Sequence, residues 1–139
     1  MLSTTLICLV ISITDGDTLK ATCDNEQVVI RLAEIDAPEK KQEFYVESKK
    51  SLSDLCLDKK AKITTQTKDR YKRIIARINC DGVDASEEQV KRGMAWVYDR
   101  YATDHNLHML QDHAHAKKIG LWQTQLPIEP WKWRKKINE

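Results

Sequence analysis

The amino-acid sequence predicts an α+β fold, a five-stranded Greek-key β-barrel with three α-helices. Strand patterns fill the first third of the chain, helical patterns follow the third and fifth strands, and the 139 residues suit one domain. A domain of this size buries a real hydrophobic core without needing staples. We therefore expect a single domain over residues 1–139, in which residues 123–139 form an irregular C-terminal tail.

The first three strands are predicted from β-branched and alternating apolar residues. Leu6–Thr14 is rich in both and runs into the turn signal Asp15-Gly16-Asp17, after which Thr18–Thr22 forms the second strand. Gln27–Ile35 alternates between apolar and polar residues, which is typical of a half-buried strand. Pro38 ends this pattern because proline cannot donate a hydrogen bond to a strand ladder.

The rest of the chain alternates between helical and extended patterns. The predicted elements are a helix over Phe44–Leu57, strands over Ala61–Thr67 and Ile74–Cys80, a helix over Asp84–Arg92 ended by Gly93, and a helix from Thr103 or Asp104 to Lys118. Pro127 and Pro130 leave the remainder irregular. Five strands in this order predict the oligonucleotide-binding barrel, or OB-fold, an architecture often used for nucleic acids.

Charge is nearly balanced overall, with a formal net charge of +2, but it is unevenly distributed. Residues 59–77 carry almost only positive charges, and the tail from Lys132 to Lys136 repeats this bias. Two local basic clusters on a near-neutral protein favour an anionic ligand bound at a defined place. The alternative is an ordinary solvated surface, which is equally compatible with the tail.

Four cysteines are present, and their spacing does not match a zinc site. Cys8 and Cys23 lie about equally far from the Asp15-Gly16 turn, so they would face each other across a hairpin within reach of a disulfide. Cys56 and Cys80 would pair by elimination. The alternative is four free buried thiols.

The cysteines decide the expected location of the protein. Disulfides indicate an oxidising compartment, which predicts a periplasmic or secreted protein whose leader has been removed, whereas free thiols would predict a cytoplasmic one. Leu2–Ile13 is apolar but lacks a positive flank and a small-residue cleavage site, so we interpret it as a strand. No apolar run is long enough to span a membrane, and we expect a monomer without membrane contact.

Three charged segments could carry chemistry. In Asp15-Gly16-Asp17-Thr18 the carboxylates match a calcium site, although a plain turn explains them as well. Asp36 and Glu39 flank a proline in a loop, where a rigid scaffold can direct them toward a cation or a proton. Asp69–Arg73 is either a solvated charge run or the position of an arginine fork for phosphate.

Arg31 stands on a strand whose alternate positions are apolar, so its side chain is expected near or inside the barrel. An unpaired guanidinium would be unstable there. A structural salt bridge to Glu34 or Asp36 is the plain explanation for this residue.

Taken together, these segments resemble the thermonuclease family, the staphylococcal-type calcium nucleases. The matching motifs are Asp-Gly-Asp-Thr at Asp15–Thr18, Arg31-Leu32, Ile-Asp-Ala-Pro-Glu at Ile35–Glu39 and Asp-Arg-Tyr-Lys-Arg at Asp69–Arg73. The resemblance runs from about residue 6 to residue 122, and it includes Gln89–Ala95. It is greatest to bacterial members, which are often plasmid-borne and exported.

Two positions depart from the family pattern. The family commonly has Thr where Ala37 stands and often has Gly in place of Lys72. A ligand supplied by the backbone of Ala37 would survive the first change.

The resemblance implies a calcium-dependent nuclease that hydrolyses DNA and RNA and prefers single-stranded regions. The implied roles are metal ligands at Asp17, Asp36 and the backbone carbonyl of Ala37, a carboxylate for water at Glu39, phosphate-binding guanidinium groups at Arg31 and Arg73, and substrate contacts at Arg70, Tyr71, Tyr98 and Tyr101. The chemistry agrees, because a phosphodiester repels hydroxide until its charge is neutralised. The alternatives are a noncatalytic OB-fold module that binds nucleic acid or protein, and a disulfide-stapled secreted interaction protein.

Other clusters have plainer explanations. His105, His108, Asp112 and His115 share one face of a predicted helix and could bind zinc or nickel, but a solvated helix face is favoured. Trp96 and Trp122 are expected in the core. Trp131 and Trp133 are expected to pack back on the barrel, with a wider nucleic-acid surface as the alternative.

Overall fold

The computed structural model describes residues 4–100 and 102–138. Within these residues the chain forms eight strands, four α-helices and a short 3-10 helix. The strands are β1 (Thr4–Asp15), β2 (Thr18–Cys23), β3 (Glu26–Leu32), β4 (Ile35–Asp36), β5 (Lys60–Lys68), β6 (Ile74–Cys80), β7 (Val83–Asp84) and β8 (Trp96–Val97). The helices are α1 (Tyr45–Cys56), α2 (Ala85–Lys91), α3 (His105–Ala116) and α4 (Pro130–Ile137), and the 3-10 helix is Gly120–Gln123.

Five strands close into the predicted barrel. The sheet order is β3-β2-β1-β5-β6, and parallel pairing of β3 with β6 joins its two ends. The long strand β1 pairs with both β2 and β5, and its register shifts at two places between Val10 and Asp15. Such irregularities bend a strand and let a small sheet curl on itself. The OB-type α+β prediction is therefore confirmed.

The core fills the barrel and the space under the helices. Large apolar side chains from all five barrel strands are fully buried, namely Val10, Leu19, Ile30, Ile63 and Ile78. A second, smaller cluster holds Trp122 with Trp96 packed against it, which confirms the core prediction for both residues. None of the helices in the described residues is long and apolar enough to cross a membrane.

Both predicted disulfides are present. Cys8 and Cys23 bridge β1 to β2 immediately beyond the paired residues Leu9 and Thr22, as the hairpin spacing predicts. Cys56 at the end of α1 is bonded to Cys80 at the end of β6. The described residues include no free cysteine. The bridges tie the first hairpin to itself and the first helix to the barrel.

The predicted irregular tail over residues 123–139 is wrong, and the helix count rises from three to four. Helix α4 begins at Pro130, whose fixed φ and missing N–H suit the first helical position. Trp131 then stacks on Tyr98 with ring centroids 5.1 Å apart. Thus the proline that indicated a break starts a helix, and a tertiary aromatic contact holds it.

The strand predicted over Gln27–Ile35 is interrupted before its end. Ala33 and Glu34 form a turn in which Glu34 has a φ of 70°. The short β4 then pairs with β8 rather than continuing in the barrel sheet. This break lifts the chain out of the barrel and starts the acidic loop.

Candidate active site

One pocket at the rim of the barrel, of about 1090 Å³, collects most of the predicted site residues. Those that line it are Asp17, Arg31, Asp36, Glu39, Arg70, Tyr71, Arg73 and Tyr98. Ala37 does not line the pocket, and Tyr101 lies outside the described residues. Three segments that are far apart in sequence therefore converge on one place.

Strand register brings Asp17 and Arg31 together. Thr18 of β2 pairs with Arg31 of β3, so the residue before Thr18 lies beside the guanidinium. The N–H of Leu32 donates to the carbonyl of Asp17 at 2.7 Å and fixes this end of the hairpin. The Asp17 carboxylate then accepts from the Thr18 hydroxyl at 2.7 Å and from the Ala37 N–H at 2.8 Å.

Gly16 allows this turn to approach α1. A Cβ on Gly16 would lie 1.8 Å from Oγ of Ser48 and 2.9 Å from Cβ of Ala37. The Gly16 carbonyl accepts from Nε2 of Gln89 at 2.8 Å, so α2 also holds the turn. The glycine of the Asp-Gly-Asp motif is thus required by its close packing against Ser48 and Ala37.

Hydrogen bonds to backbone carbonyls and to an acidic side chain hold the Arg31 guanidinium in place. Its Nη1 donates to the carbonyls of Leu32 and Ile35 at 2.9 Å each, and its Nη2 donates to Oδ1 of Asp36 at 3.1 Å. The same Nη2 lies 3.5 Å from the Asp17 carboxylate. The expected structural salt bridge therefore forms with Asp36 and Asp17, and it coexists with a position in the pocket.

Glu34 pairs with a different arginine. Nη1 of Arg77 donates to Oε2 of Glu34 at 2.8 Å and to Asp104 at 3.1 Å. The other Glu34 oxygen accepts from the N–H groups of Thr103 and Asp104. This network ties β6, the turn before β4 and the start of α3 together beneath the pocket.

Arg73 is presented by the loop between β5 and β6, which Asp69 organises. The Asp69 carboxylate accepts from the N–H groups of Tyr71 and Arg73 and from Nε of Arg73 at 2.6 Å. Burial acts to raise the pKa of Asp69, but the hydrogen bonds from Arg73 and Tyr71 outweigh it and the pKa is lowered. The guanidinium groups of Arg70 and Arg73 lie 5.0 and 5.7 Å from the Tyr71 ring centroid.

Buried carboxyl groups concentrate negative charge beside Arg31. Burial, then the charge of Asp17, raises the pKa of Asp15 to about 8. Burial raises the pKa of Asp36 to about 6, against the opposing hydrogen bonds of Arg134. Burial also acts to raise the pKa of Asp17, but the charge of Arg31 and several hydrogen bonds bring it to about 2. A cation would relieve the repulsion within this group.

Asp17 and Asp36 offer carboxylate oxygens to this pocket that could hold a hard cation, and the carbonyl of Ala37 stays the predicted third ligand. These are the donor types that calcium prefers. Among residues 4–100 and 102–138, no group of three or more His, Cys, Asp or Glu side chains has the arrangement of a metal site. A cation here would rely on two carboxylates and the backbone, and the His cluster of α3 carries no metal-site arrangement either.

The predicted site did not include Asp15 and Arg134, two charged residues that line the pocket. Asp15 belongs to the motif that predicts either a turn or a calcium site, but only Asp17 of that motif is a predicted ligand, and Asp15 also lines the pocket. Arg134 of α4 was assigned to the tail, yet its Nη1 and Nη2 donate to the two oxygens of Asp36 at 3.0 and 2.8 Å, and Nη1 also donates to Glu39. The available signal was Glu129-Pro130 followed by aromatic and basic residues, a helix start with a cationic end.

Tyr98 is partly covered by α4. Its ring is stacked on Trp131 with an interplanar angle of 7°, and Trp131 also meets Trp96 edge to face. Trp131 thus packs back on the barrel, as expected. One face of Tyr98 is therefore occupied, which leaves its role toward a nucleobase as a prediction.

Carboxylates for a cation beside guanidinium groups for an anion define a pocket suited to phosphate-ester chemistry. Comparison with known proteins agrees. The family described as "Staphylococcal nuclease homologue" matches residues 29–124. An "Uncharacterized endonuclease" of Haemophilus influenzae is 47% identical over 134 residues, which are 94% of this chain and 75% of that protein.

Further relatives are an "Uncharacterized endonuclease" and a "Micrococcal nuclease". The first, from Escherichia coli, is 40% identical over 126 residues, 90% of this chain and 82% of that protein. The second, from Shigella flexneri, is 33% identical over 137 residues, 91% of this chain and 79% of that protein. The chain belongs to the staphylococcal nuclease homologue family, and as a member it is an enzyme of the nuclease class.

Proposed function

We propose that the protein is a calcium-dependent nuclease that hydrolyses phosphodiester bonds of DNA and RNA and prefers single-stranded regions. One observation supports this most strongly: buried carboxylates and a fixed guanidinium share one pocket, with Nη2 of Arg31 within 3.5 Å of both Asp17 and Asp36. A site with these two charge types can hold a cation and a phosphate side by side.

Asp17, Asp36 and the Ala37 carbonyl would hold calcium, which would supply positive charge against the negative charge that develops on the phosphate. The donor types fit, because all are oxygens and the two carboxylates lie close together, both within 3.5 Å of Nη2 of Arg31. At position 37, the Thr-to-Ala departure leaves the backbone contact with Asp17 in place.

The chain's own residues divide the remaining work. Arg31 and Arg73 hold the phosphate and stabilise its oxygens as they gain negative charge. Glu39 orients a water molecule or accepts its proton. The water oxygen forms the new bond to phosphorus, the ester bond to the leaving oxygen breaks, and that oxygen takes up a proton.

Cleavage of a single-stranded oligonucleotide with calcium, and then with a chelator, tests this proposal at mildly alkaline pH. Glu39→Gln and Arg73→Ala should reduce turnover far more than binding, while the exposed substitution Lys117→Gln should change neither. The absence of calcium-dependent cleavage would contradict the proposal. Binding without cleavage would instead indicate a noncatalytic OB-fold module.

The preference for single strands rests on Tyr71, which is exposed and lies near two guanidinium groups. An aromatic ring stacks on an unpaired base but cannot reach one inside a duplex. Tyr71→Ala should reduce cleavage of single-stranded substrate more than of duplex substrate. An equal reduction would contradict this role.

The two disulfides support a periplasmic or secreted location. We propose further that the protein is a single-domain monomer over residues 1–139, does not contact membranes and is carried on a plasmid, as in the exported bacterial members it resembles. Cell fractionation tests the location, and sedimentation of this 139-residue chain should give a mass near 16.1 kDa. A stable dimer, or recovery in the cytoplasm with free thiols, would contradict these points.

A further inference from the structure

Helix α4 places a guanidinium on the acidic face of the pocket. Arg134 meets Asp36 as a two-pronged fork, with Nη1 3.0 Å from Oδ1 and Nη2 2.8 Å from Oδ2. Nη1 also donates to Oε1 of Glu39. Asp36 is fully buried, whereas the Arg134 side chain is 36% exposed. A partly exposed arginine is therefore in contact with a buried acid of the site.

The helix that carries Arg134 is anchored beside the same acidic loop. Gln42 accepts from the N–H of Glu39 at 2.9 Å, and its Nε2 donates to the carbonyl of Ile128 at 2.7 Å. The stack of Trp131 on Tyr98 holds the first turn of α4 from the other side. Arg134 is therefore directed into the pocket by packing.

Arg31 and Arg134 differ in what holds them. Arg31 donates to two backbone carbonyls and uses only Oδ1 of Asp36, so it can remain in place if Asp36 gains another partner. In the described residues, the side-chain hydrogen bonds of Arg134 go to Asp36 and Glu39 alone. A cation that binds Asp36 must take lone pairs that Arg134 uses.

We propose that Arg134 is a positioning residue of the site, a built-in counter-ion that holds Asp36 and Glu39 and that calcium displaces from Asp36. This inference rests on the proposed function, because it takes Asp36 as a calcium ligand. It goes beyond it by giving α4 a role in cation affinity. Calcium binding and release of Arg134 are then one exchange of cations on the same carboxylate.

Calorimetric titration with calcium chloride, without nucleic acid, tests the exchange on the whole chain. Arg134→Gln should bind calcium about tenfold more tightly than the native protein, because no charge-assisted pair has to break. Arg134→Lys, which keeps the charge but loses the fork, should lie between them. Lys135→Gln removes the same charge from an exposed position on the same helix and should stay within about twofold of the native affinity.

Hydrogen exchange gives a second readout, in which the main comparison is the native protein with and without calcium. Calcium should speed exchange of the backbone amides in residues 130–137, since the helix loses the pairing of Arg134 with Asp36, one of the contacts that hold it. Lys135→Gln should show the same acceleration, and Arg134→Gln should exchange fast with and without calcium.

Several results would overturn the inference. These are an equal or weaker calcium affinity of Arg134→Gln relative to Lys135→Gln, or no change in exchange over residues 130–137 when calcium is added to the native protein. If either result is found and the native protein nevertheless cleaves DNA with calcium, this inference fails and the proposed function stands. If neither the native protein nor Arg134→Gln binds calcium, the calcium assignment fails and this inference fails with it.

Discussion

At the scale of single residues, Arg31 and Arg73 have the same proposed task but different structural attachments. Arg31 is 14% exposed and donates to two carbonyls and Asp36. Arg73 is 33% exposed and pairs with Asp69 four residues away. Arg31 is part of the packed site, whereas Arg73 lies mainly in a loop. Substitution of Arg73 should therefore affect turnover alone, and substitution of Arg31 should affect both turnover and stability.

Arg73→Ala should lower turnover by about a hundredfold or more and leave the free energy of unfolding within about 1 kcal/mol of the native value. Arg31→Ala should lower turnover at least as much and also lower the free energy of unfolding by about 3 kcal/mol, because buried Asp17 loses its cationic partner and Asp36 loses one of its two. Single-turnover cleavage and urea unfolding measure the two quantities. Equal losses of stability in the two variants would contradict the assignment.

Glu34 predicts a pH dependence of stability that is separate from catalysis. Burial acts to raise its pKa, but hydrogen bonds from Thr103, Arg77 and Asp104 outweigh burial and lower the pKa from 4.5 to about 2. A lowered carboxyl pKa stabilises the fold fully above pH 4.5, and this contribution is lost as the pH falls toward 2. Native and Glu34→Gln proteins should therefore differ in urea midpoint at pH 6, and the difference should shrink steadily as the pH falls from 4.5 toward 2.

Glu26→Gln is the matched control, since Glu26 is an exposed carboxylate at the start of β3. Its urea midpoint should follow that of the native protein at every pH. A gap between native and Glu34→Gln proteins that stays constant from pH 6 to pH 2.5 would show that the ionised carboxylate is not what stabilises the turn.

The two departures from the family pattern have structural explanations at this scale. Ala37 contacts Asp17 through its backbone N–H, which any residue except proline supplies. Lys72 has a φ of 66°, in the left-handed region that favours glycine. The glycine common in relatives would relax the backbone there, while lysine adds a positive charge to the loop that carries Arg73.

At the scale of elements, the two disulfides link the strands and the helix that support the site. Cys8–Cys23 joins β1 to β2 across 15 residues, and Cys56–Cys80 joins α1 to β6 across 24 residues. Replacing both cysteines of either pair with alanine should lower the free energy of unfolding by about 3 kcal/mol, because the unfolded chain regains the freedom that the bridge removed.

Urea midpoints with and without a reductant check this prediction. The reductant should lower the midpoint of the native protein, should lower that of each double variant less, and should not affect a variant that lacks all four cysteines. Mass spectrometry after non-reducing digestion gives the pairing directly. Four free thiols in protein recovered from an oxidising compartment would contradict both bridges.

Local chemistry explains why much of the barrel could be predicted from sequence. The Asp-Gly turn and the equal spacing of Cys8 and Cys23 around it set the first hairpin, and its register then places Asp17 beside Arg31. Asp84 caps α2 by accepting from the N–H of Glu87, as the capping pattern predicts. Each of these inferences depends on residues that are close in sequence.

What the sequence did not reveal depends on distant contacts. The turn at Glu34 uses a φ that glutamate rarely adopts, and it is held by Arg77 and by the start of α3. Helix α4 has only eight residues, too few to be stable alone, and its position follows from the stack of Trp131 on Tyr98. Arg134 could not be assigned to the site until that contact was known.

At the scale of the whole molecule, a net charge of only +2 gives little long-range attraction for nucleic acid. Binding should therefore depend on the segment at residues 68–73 beside the pocket, here called the basic loop. Lys68 and Lys72 are exposed in it. Each phosphate contact that a lysine makes with a single strand contributes about 0.7 to the slope of log affinity against log salt concentration. The loop should account for most of the salt dependence.

The salt dependence of oligonucleotide binding, measured in the Glu39→Gln background so that the substrate survives, tests this distribution. Adding Lys68→Gln and Lys72→Gln should reduce the slope by about 1.4, because two phosphate contacts are lost. Adding Lys91→Gln and Lys117→Gln removes the same charge from exposed positions on other elements and should leave the slope almost unchanged. Equal reductions in the two double variants would mean that binding follows total charge, and the basic loop would then have no special part in holding the strand.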